Sequence, residues 1–160
     1  LSAAYFHETP KPLSESHPML FSRFTRSIKT ILIVEDEPLV AFDNELRVVD
    51  AGYRVVATVD TQDEAIAVLE REEIDLVLAD VNLSRGGSGI EVARVASERD
   101  IPVLFATGTC PGGAQQYAIG CLNKPYSAAE LVGAIDAVDR LIRGKKPRTM
   151  PRHLSLFASP

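Results

Sequence analysis

The sequence has no tryptophan, only two cysteines among its 160 residues, and no long apolar run. A membrane-crossing helix needs roughly 20 apolar residues in succession, and no stretch approaches that length, so no bilayer span is expected. The N-terminus lacks the basic flank, apolar core and small-residue cleavage site of a secretory leader, which makes a cytoplasmic protein the expectation. Cys110 and Cys121 have neither CxxC spacing nor a neighbouring histidine cluster. A zinc site or redox motif is therefore disfavoured, and two reduced, packed thiols are expected. Positive charge is scarce where the pattern is most regular: residues 30–142 hold 8 Lys/Arg against 20 Asp/Glu, a net −12. Duplex binding depends on clustered cations that neutralise phosphates, so direct DNA binding is not expected. No internal repeat or low-complexity tract is present.

What the sequence does have is a regular central segment between two irregular ends. Residues 1–28 hold three prolines and no sustained periodicity and form an extension, within which Met19-Leu20-Phe21 through Phe24 and Ile28 is apolar enough to dock, as a short helix. Residues 29–143 form one domain. Residues 144–160 are basic, and together with Arg143 they carry five Lys/Arg and no acid. Pro147 and Pro151 interrupt any helix there, and a solvated, flexible tail is expected.

Within the domain, strands and helices alternate. Thr30–Val34 is a continuous β-branched run, as expected of a strand covered on both faces. A helix follows with Pro38 near its start and Leu39, Phe42, Leu46 and Val49 on one face, ending at Gly52. Tyr53–Val59 is a second strand. Thr61 and Glu64 form a capping-box pattern opening a helix that contains Ala65, Ile66 and Leu69. Ile74–Ala79 is the third strand, a helix with Ile90, Ala93 and Val95 follows, and Ile101–Ala106 is the fourth strand. Thr107–Gly120 is glycine-rich and leaves room only for a short or irregular fourth helix around Ala114–Ala118. Cys121–Asn123 is a fifth strand, and Ser127 with Glu130 caps a last helix carrying Leu131, Ile135, Val138 and Ile142. This alternation implies an α/β fold: a doubly wound, five-stranded parallel sheet with helices on both faces.

In such a sheet, reactive groups gather beyond the carboxyl ends of the strands. The first strand delivers Glu35 and Asp36, the third Asp80, the fourth Thr107, and the fifth leads to Lys124. Three clustered carboxylates repel one another unless a cation joins them, and Mg2+ suits an all-oxygen set that keeps several waters. A carboxylate can attack phosphorus to form an acyl phosphate. A metal ion, an ammonium and a hydroxyl can neutralise and position the phosphoryl oxygens.

Four segments carry a family resemblance: Ile31-Leu32-Ile33-Val34-Glu35-Asp36-Glu37-Pro38, Asp75-Leu76-Val77-Leu78-Ala79-Asp80-Val81-Asn82-Leu83, Phe105-Ala106-Thr107-Gly108 and Asn123-Lys124-Pro125-Tyr126. In this order and spacing, over about residues 29–142, the chain resembles the receiver domains of two-component response regulators. The resemblance implies the flavodoxin-like receiver arrangement. It also implies that Asp80 accepts a phosphoryl group from a histidine kinase or phosphotransfer protein. Asp36 and Asp80 would hold Mg2+ directly, Glu35 through metal-bound water, and Asn82 by its backbone carbonyl. Thr107 and Lys124 would each contact a phosphoryl oxygen, and the Lys124–Pro125 bond would be cis.

Two departures from the family stand out. Cys121 occupies the position where most receivers carry a switch aromatic, three residues before the lysine, and the span from Thr107 to Lys124 is short. Phe105-Ala106-Thr107-Gly108 is similar to the signature of a receiver subgroup of often stand-alone signalling proteins. The segment 107–119 is expected to be the mobile output element. The eighteen residues after Ile142 are too few to bury a core of their own. The expected role is thus that of a phosphorylated signalling protein and not of an enzyme, acting through protein contacts or as a phosphate shuttle or sink. The alternative is a receiver-fold binding module that works without phosphorylation. A metal-dependent phosphohydrolase is disfavoured, because Asn82 stands where a second general acid would be needed.

Overall fold

The computed structural model describes residues 26–85 and 87–157, so Met19–Phe24 and almost all of the N-terminal extension lie outside the described residues, while Ile28 of the same apolar stretch is buried in the core. Its sheet is built on β1 (Thr30–Val34), whose last four residues are fully buried. Burying such side chains contributes roughly 1.5–3 kcal/mol each before chain entropy is charged against it. β2 (Arg54–Val59) pairs parallel on one side of β1 and β3 (Leu76–Ala79) on the other. β4 (Val103–Thr107) and β5 (Gly120–Asn123) extend the sheet beyond β3, again in parallel.

Helices cover both faces. α1 (Pro38–Asp50) and α4 (Ala128–Ile142) lie on one face, where Val48, Leu131, Ile135 and Val138 pack with Ile31, Ile33, Leu78 and Leu104. α2 (Gln62–Arg71) and α3 (Gly89–Ser97) lie on the other, where Leu69, Val92 and Ala96 meet Leu32, Val34, Val77 and Phe105. Along β1, β3 and β4 successive residues feed opposite clusters, as the two-residue pleat requires. α4 begins with the expected reciprocal box between Ser127 and Glu130, while at α2 Thr61 accepts from the Glu64 amide. In place of a full fourth helix, Ala114–Tyr117 makes one turn of 3-10 helix.

Three features differ from expectation. The sheet has six strands, in the order β2-β1-β3-β4-β5-β6, because β6 (Leu154–Leu156) pairs antiparallel with β5. This short run lies in the segment expected to be a solvated tail. It covers an edge that would otherwise leave β5 unpaired, and Leu154 reaches the α1/α4 cluster. Gly120 permits the approach, since a Cβ there would lie 2.8 Å from Ser155 O.

Cys110 and Cys121 are joined in a disulfide and are not the two reduced thiols expected. The eleven-residue separation has no motif value. It is the return of the chain into β5 that brings the two Cα atoms to 6.1 Å.

The apolar stripe of α1 faces solvent. Leu39 is 85% and Phe42 69% exposed, with Leu46 and Val49 about half exposed, while Ala41, Asn44 and Val48 form the buried face.

Candidate functional site

The chain passes from β1 to β2 on one side and returns to β3 on the other, so the strand order reverses at β1. The carboxyl ends of β1 and β3 therefore flank a crevice. Glu35 and Asp36 follow β1 directly, and Asp80 follows β3, where its amide donates to Val34 O at 2.8 Å. One carboxylate oxygen from each of the three acids lies within 4.8 Å of the others. Glu35 and Asp80 are buried and Asp36 is partly exposed. Gly89 lets α3 start close by, since a Cβ there would fall 1.9 Å from Asp80 O.

Lys124 supplies the counter-charge. Its Nζ donates to Glu35 Oε2 at 2.8 Å and Asp80 Oδ2 at 2.9 Å, with Glu37 Oε1 farther off at 3.3 Å. The Lys124 amide donates to Thr107 O at 2.9 Å, and the Lys124–Pro125 peptide is cis, as expected. Tyr126, next in the chain, donates its hydroxyl to the buried Asn44 of α1, which fixes this turn against the helix.

These surroundings shift the charges in opposite ways. Burial pushes the Glu35 carboxyl above its ordinary range, although Lys124 and the Glu37 amide pull against it. Burial also opposes the charge on Lys124, but hydrogen bonds to Glu35 and Asp80 outweigh it and hold the ammonium above the usual lysine value. Asp36 is held below the usual carboxylate range, chiefly by the Ser84 hydroxyl. Both that hydroxyl and the Ser84 amide donate to Asp36 Oδ2. No sequence pattern marks Ser84, because only the path of the β3–α3 loop brings it to Asp36.

Thr107 ends β4, fully buried, and its Oγ1 has no hydrogen-bond partner among the described residues. A buried hydroxyl without a partner is costly, which singles it out among the groups at this end of the sheet. Asn82 has an exposed side chain, and its backbone N–H donates to Asp80 Oδ1 at 3.2 Å. The structure thus brings Glu35, Asp36, Asp80 and Lys124 into one cluster, with Thr107 and Asn82 joined to it through the Lys124 and Asp80 contacts. Three carboxylates close enough to share one ion make a hard, all-oxygen donor set that suits Mg2+.

Residues 31–136 match the response regulator receiver domain. The chain belongs to this receiver family. The phyllosphere-induced regulator PhyR of Methylorubrum extorquens is 38% identical over 79 residues, covering 48% of this chain and 30% of PhyR. The transcriptional regulatory protein PdtaR of Mycobacterium tuberculosis is 32% identical over 123 residues, covering 70% of this chain and 58% of PdtaR. The chain therefore spans less than two thirds of either relative. Among solved structures, the receiver domain of the sensor histidine kinase PA1611 from Pseudomonas aeruginosa superposes with a TM-score of 0.61 at 27% identity. The match covers 69% of this chain and 96% of that receiver, which holds a magnesium ion in its active-site cleft. As a receiver, the chain carries its acidic cluster at the carboxyl edge of a parallel sheet, with α1 and the β3–α3 loop on either side.

Proposed function

We propose that this receiver is a signalling protein phosphorylated on Asp80 by a histidine kinase or phosphotransfer protein, and not a turnover enzyme. The observation that carries the reading is the pairing of Lys124 with Asp80 at 2.9 Å, at the carboxyl edge of the sheet where the buried Thr107 hydroxyl has no partner among the described residues. Glu35, Asp36, Asp80 and the Asn82 backbone carbonyl would hold Mg2+. The bound ion would neutralise charge on the phosphoryl oxygens.

An Asp80 oxygen attacks the phosphorus of a phosphohistidine or small phosphodonor. The bond to the donor nitrogen or oxygen breaks, and an acyl phosphate remains on Asp80. Lys124 then exchanges its contact with the Asp80 carboxylate for one with a phosphoryl oxygen, and Thr107 Oγ1 gains the partner it lacks. Asp36, kept ionised by Ser84, remains available as an oxygen ligand.

The exposed α1 stripe, Leu39, Phe42, Leu46 and Val49, begins two residues after Glu37, itself a partner of Lys124. An apolar helix face beside the acidic crevice offers a docking surface for a helical phosphodonor protein. The phosphorylated form then acts through protein contacts or passes the group on in a phosphorelay. A cytoplasmic setting fits a soluble kinase domain as donor.

The test is incubation with Mg2+ and acetyl phosphate, followed by intact mass. One phosphoryl adduct, absent in Asp80→Asn and after chelation of the metal, supports this function. An unmodified wild-type chain would leave the phosphorylation-independent binding module, and steady turnover of the phosphodonor without an adduct would indicate a hydrolase.

A further inference from the structure

Between Thr107 and β5 the chain has few polar ties to the rest of the fold, and Tyr117 and Ala118 at its end pack against the α2/α3 cluster. Gly108, Thr109, Gly112 and Gly113 are exposed, and a Cβ on any of the three glycines would meet nothing within 4 Å. Among the described residues, no backbone hydrogen bond outside the 3-10 turn joins 108–118 to another element. The covalent tie is Cys110–Cys121. It anchors a residue three positions after Thr107 to a fully buried position on β5, packed in the cluster that includes Phe105. Cys110 Sγ also lies 3.1 Å from Asn123 Oδ1, and Asn123 immediately precedes Lys124. The bridge therefore joins the segment leaving the Thr107 hydroxyl to the strand that presents the Lys124 ammonium.

We propose that Cys110 and Cys121 form a reversible oxidation site that pins the segment after Thr107 in the disulfide state and frees it in the dithiol state. Its effect on output rests on the phosphorylation reading above; the pinning itself does not. Cys110 is half-buried and Cys121 fully buried, so a peroxide reaches Cys110 first. The Cys110 thiolate attacks one peroxide oxygen, the O–O bond breaks, and the departing hydroxide takes a proton to become water, leaving a sulfenic acid. The Cys121 sulfur then attacks that sulfur, the S–O bond breaks, and a second water leaves. Two thiols have lost two electrons, and one peroxide has become two waters. A small dithiol reverses the change by exchange through a mixed disulfide. In a reducing compartment such bonds are transient and used for sensing.

The functional consequence follows from position. A segment that must move when Thr107 acquires a phosphoryl partner responds in the dithiol form and is held in the disulfide form. A redox tie would thus decide whether phosphorylation of Asp80 is transmitted.

The experiment compares the full chain treated with hydrogen peroxide, the chain reduced with a phosphine, and Cys110→Ser. Each is alkylated under denaturing conditions for mass analysis and followed by hydrogen exchange, with and without Mg2+ and beryllofluoride. The oxidised chain should take up no alkyl group and the reduced chain two. Residues 108–118 should exchange roughly tenfold or more faster in the reduced chain and in Cys110→Ser. Beryllofluoride should alter exchange there only in those two forms. Equal exchange in oxidised and reduced chains, or two alkyl groups on the oxidised chain, overturns the proposal. An equal beryllofluoride response in all forms overturns the link to output. If acetyl phosphate leaves no adduct on Asp80 in either form, the phosphorylation reading fails, while an exchange difference without beryllofluoride still supports the oxidation site.

Discussion

Lys124 Nζ lies 2.9 Å from Asp80 Oδ2, so an ammonium at the end of β5 and a carboxylate at the end of β3 meet across β4. The same ammonium holds the buried Glu35 at 2.8 Å. In Lys124→Met two buried carboxylates would face each other without a counter-charge, a cost on the order of 3 kcal/mol at neutral pH. Burial already raises the Glu35 carboxyl, and without Lys124 to pull against it that carboxyl would rise further above its unfolded value. The cost would then shrink as pH falls and Glu35 takes up a proton. Urea unfolding at pH 7 and pH 5 measures this, and adduct formation with acetyl phosphate should slow by roughly tenfold or more.

Thr107→Val removes a buried hydroxyl that has no partner among the described residues, and keeps the side chain's shape. Stability should be unchanged or higher by about 1 kcal/mol, the opposite of most changes at fully buried positions. The adduct on Asp80 should still form. In the reduced chain, beryllofluoride should no longer alter hydrogen exchange in residues 108–118. Loss of stability by thermal unfolding would show that the hydroxyl is satisfied in solution.

Much of this site is legible in the sequence, because alternating apolar runs place each strand end, and Glu35, Asp36, Asp80, Thr107 and Lys124 all sit at or just beyond one. What the sequence leaves open depends on tertiary approach. Helical spacing shows that Leu39, Phe42, Leu46 and Val49 share a face, but not that the helix packs through the smaller Ala41, Asn44 and Val48. Ser84 reaches Asp36 through a loop path that no local pattern encodes. Leu154–Leu156 is too short, and too close behind Pro151, to stand out as a strand, yet pairing with β5 settles it. The Cys110–Cys121 bond likewise arises from how the chain re-enters the sheet.

Phe42→Asp should leave the fold intact, since that side chain is already 69% exposed. Phosphorylation by acetyl phosphate should proceed at the wild-type rate, whereas transfer from a phosphorylated histidine kinase or phosphotransfer protein should fall by roughly tenfold or more. Equal loss with both donors would place the effect in the crevice and not on the α1 surface.

Glu130 tests the capping of α4. Its carboxylate accepts from the Ser127 amide and meets His153 Nδ1 at 2.8 Å, and its pKa is held below 4.5, chiefly by that amide. A depressed carboxyl contributes stability above its unfolded pKa and loses it as pH falls through the folded value. Glu130→Gln should therefore be less stable than wild type at pH 6, with the difference closing below about pH 4. Thermal unfolding across that range measures it.

Asp80, and none of its acidic neighbours, should carry the phosphoryl group. Borohydride reduces an acyl phosphate on aspartate to homoserine, so reduction after acetyl phosphate treatment with Mg2+, followed by peptide mass mapping, names the residue. Homoserine is expected at position 80 in the wild-type chain and none in Asp80→Asn. Homoserine at position 36, or its absence from the wild-type chain, would contradict it.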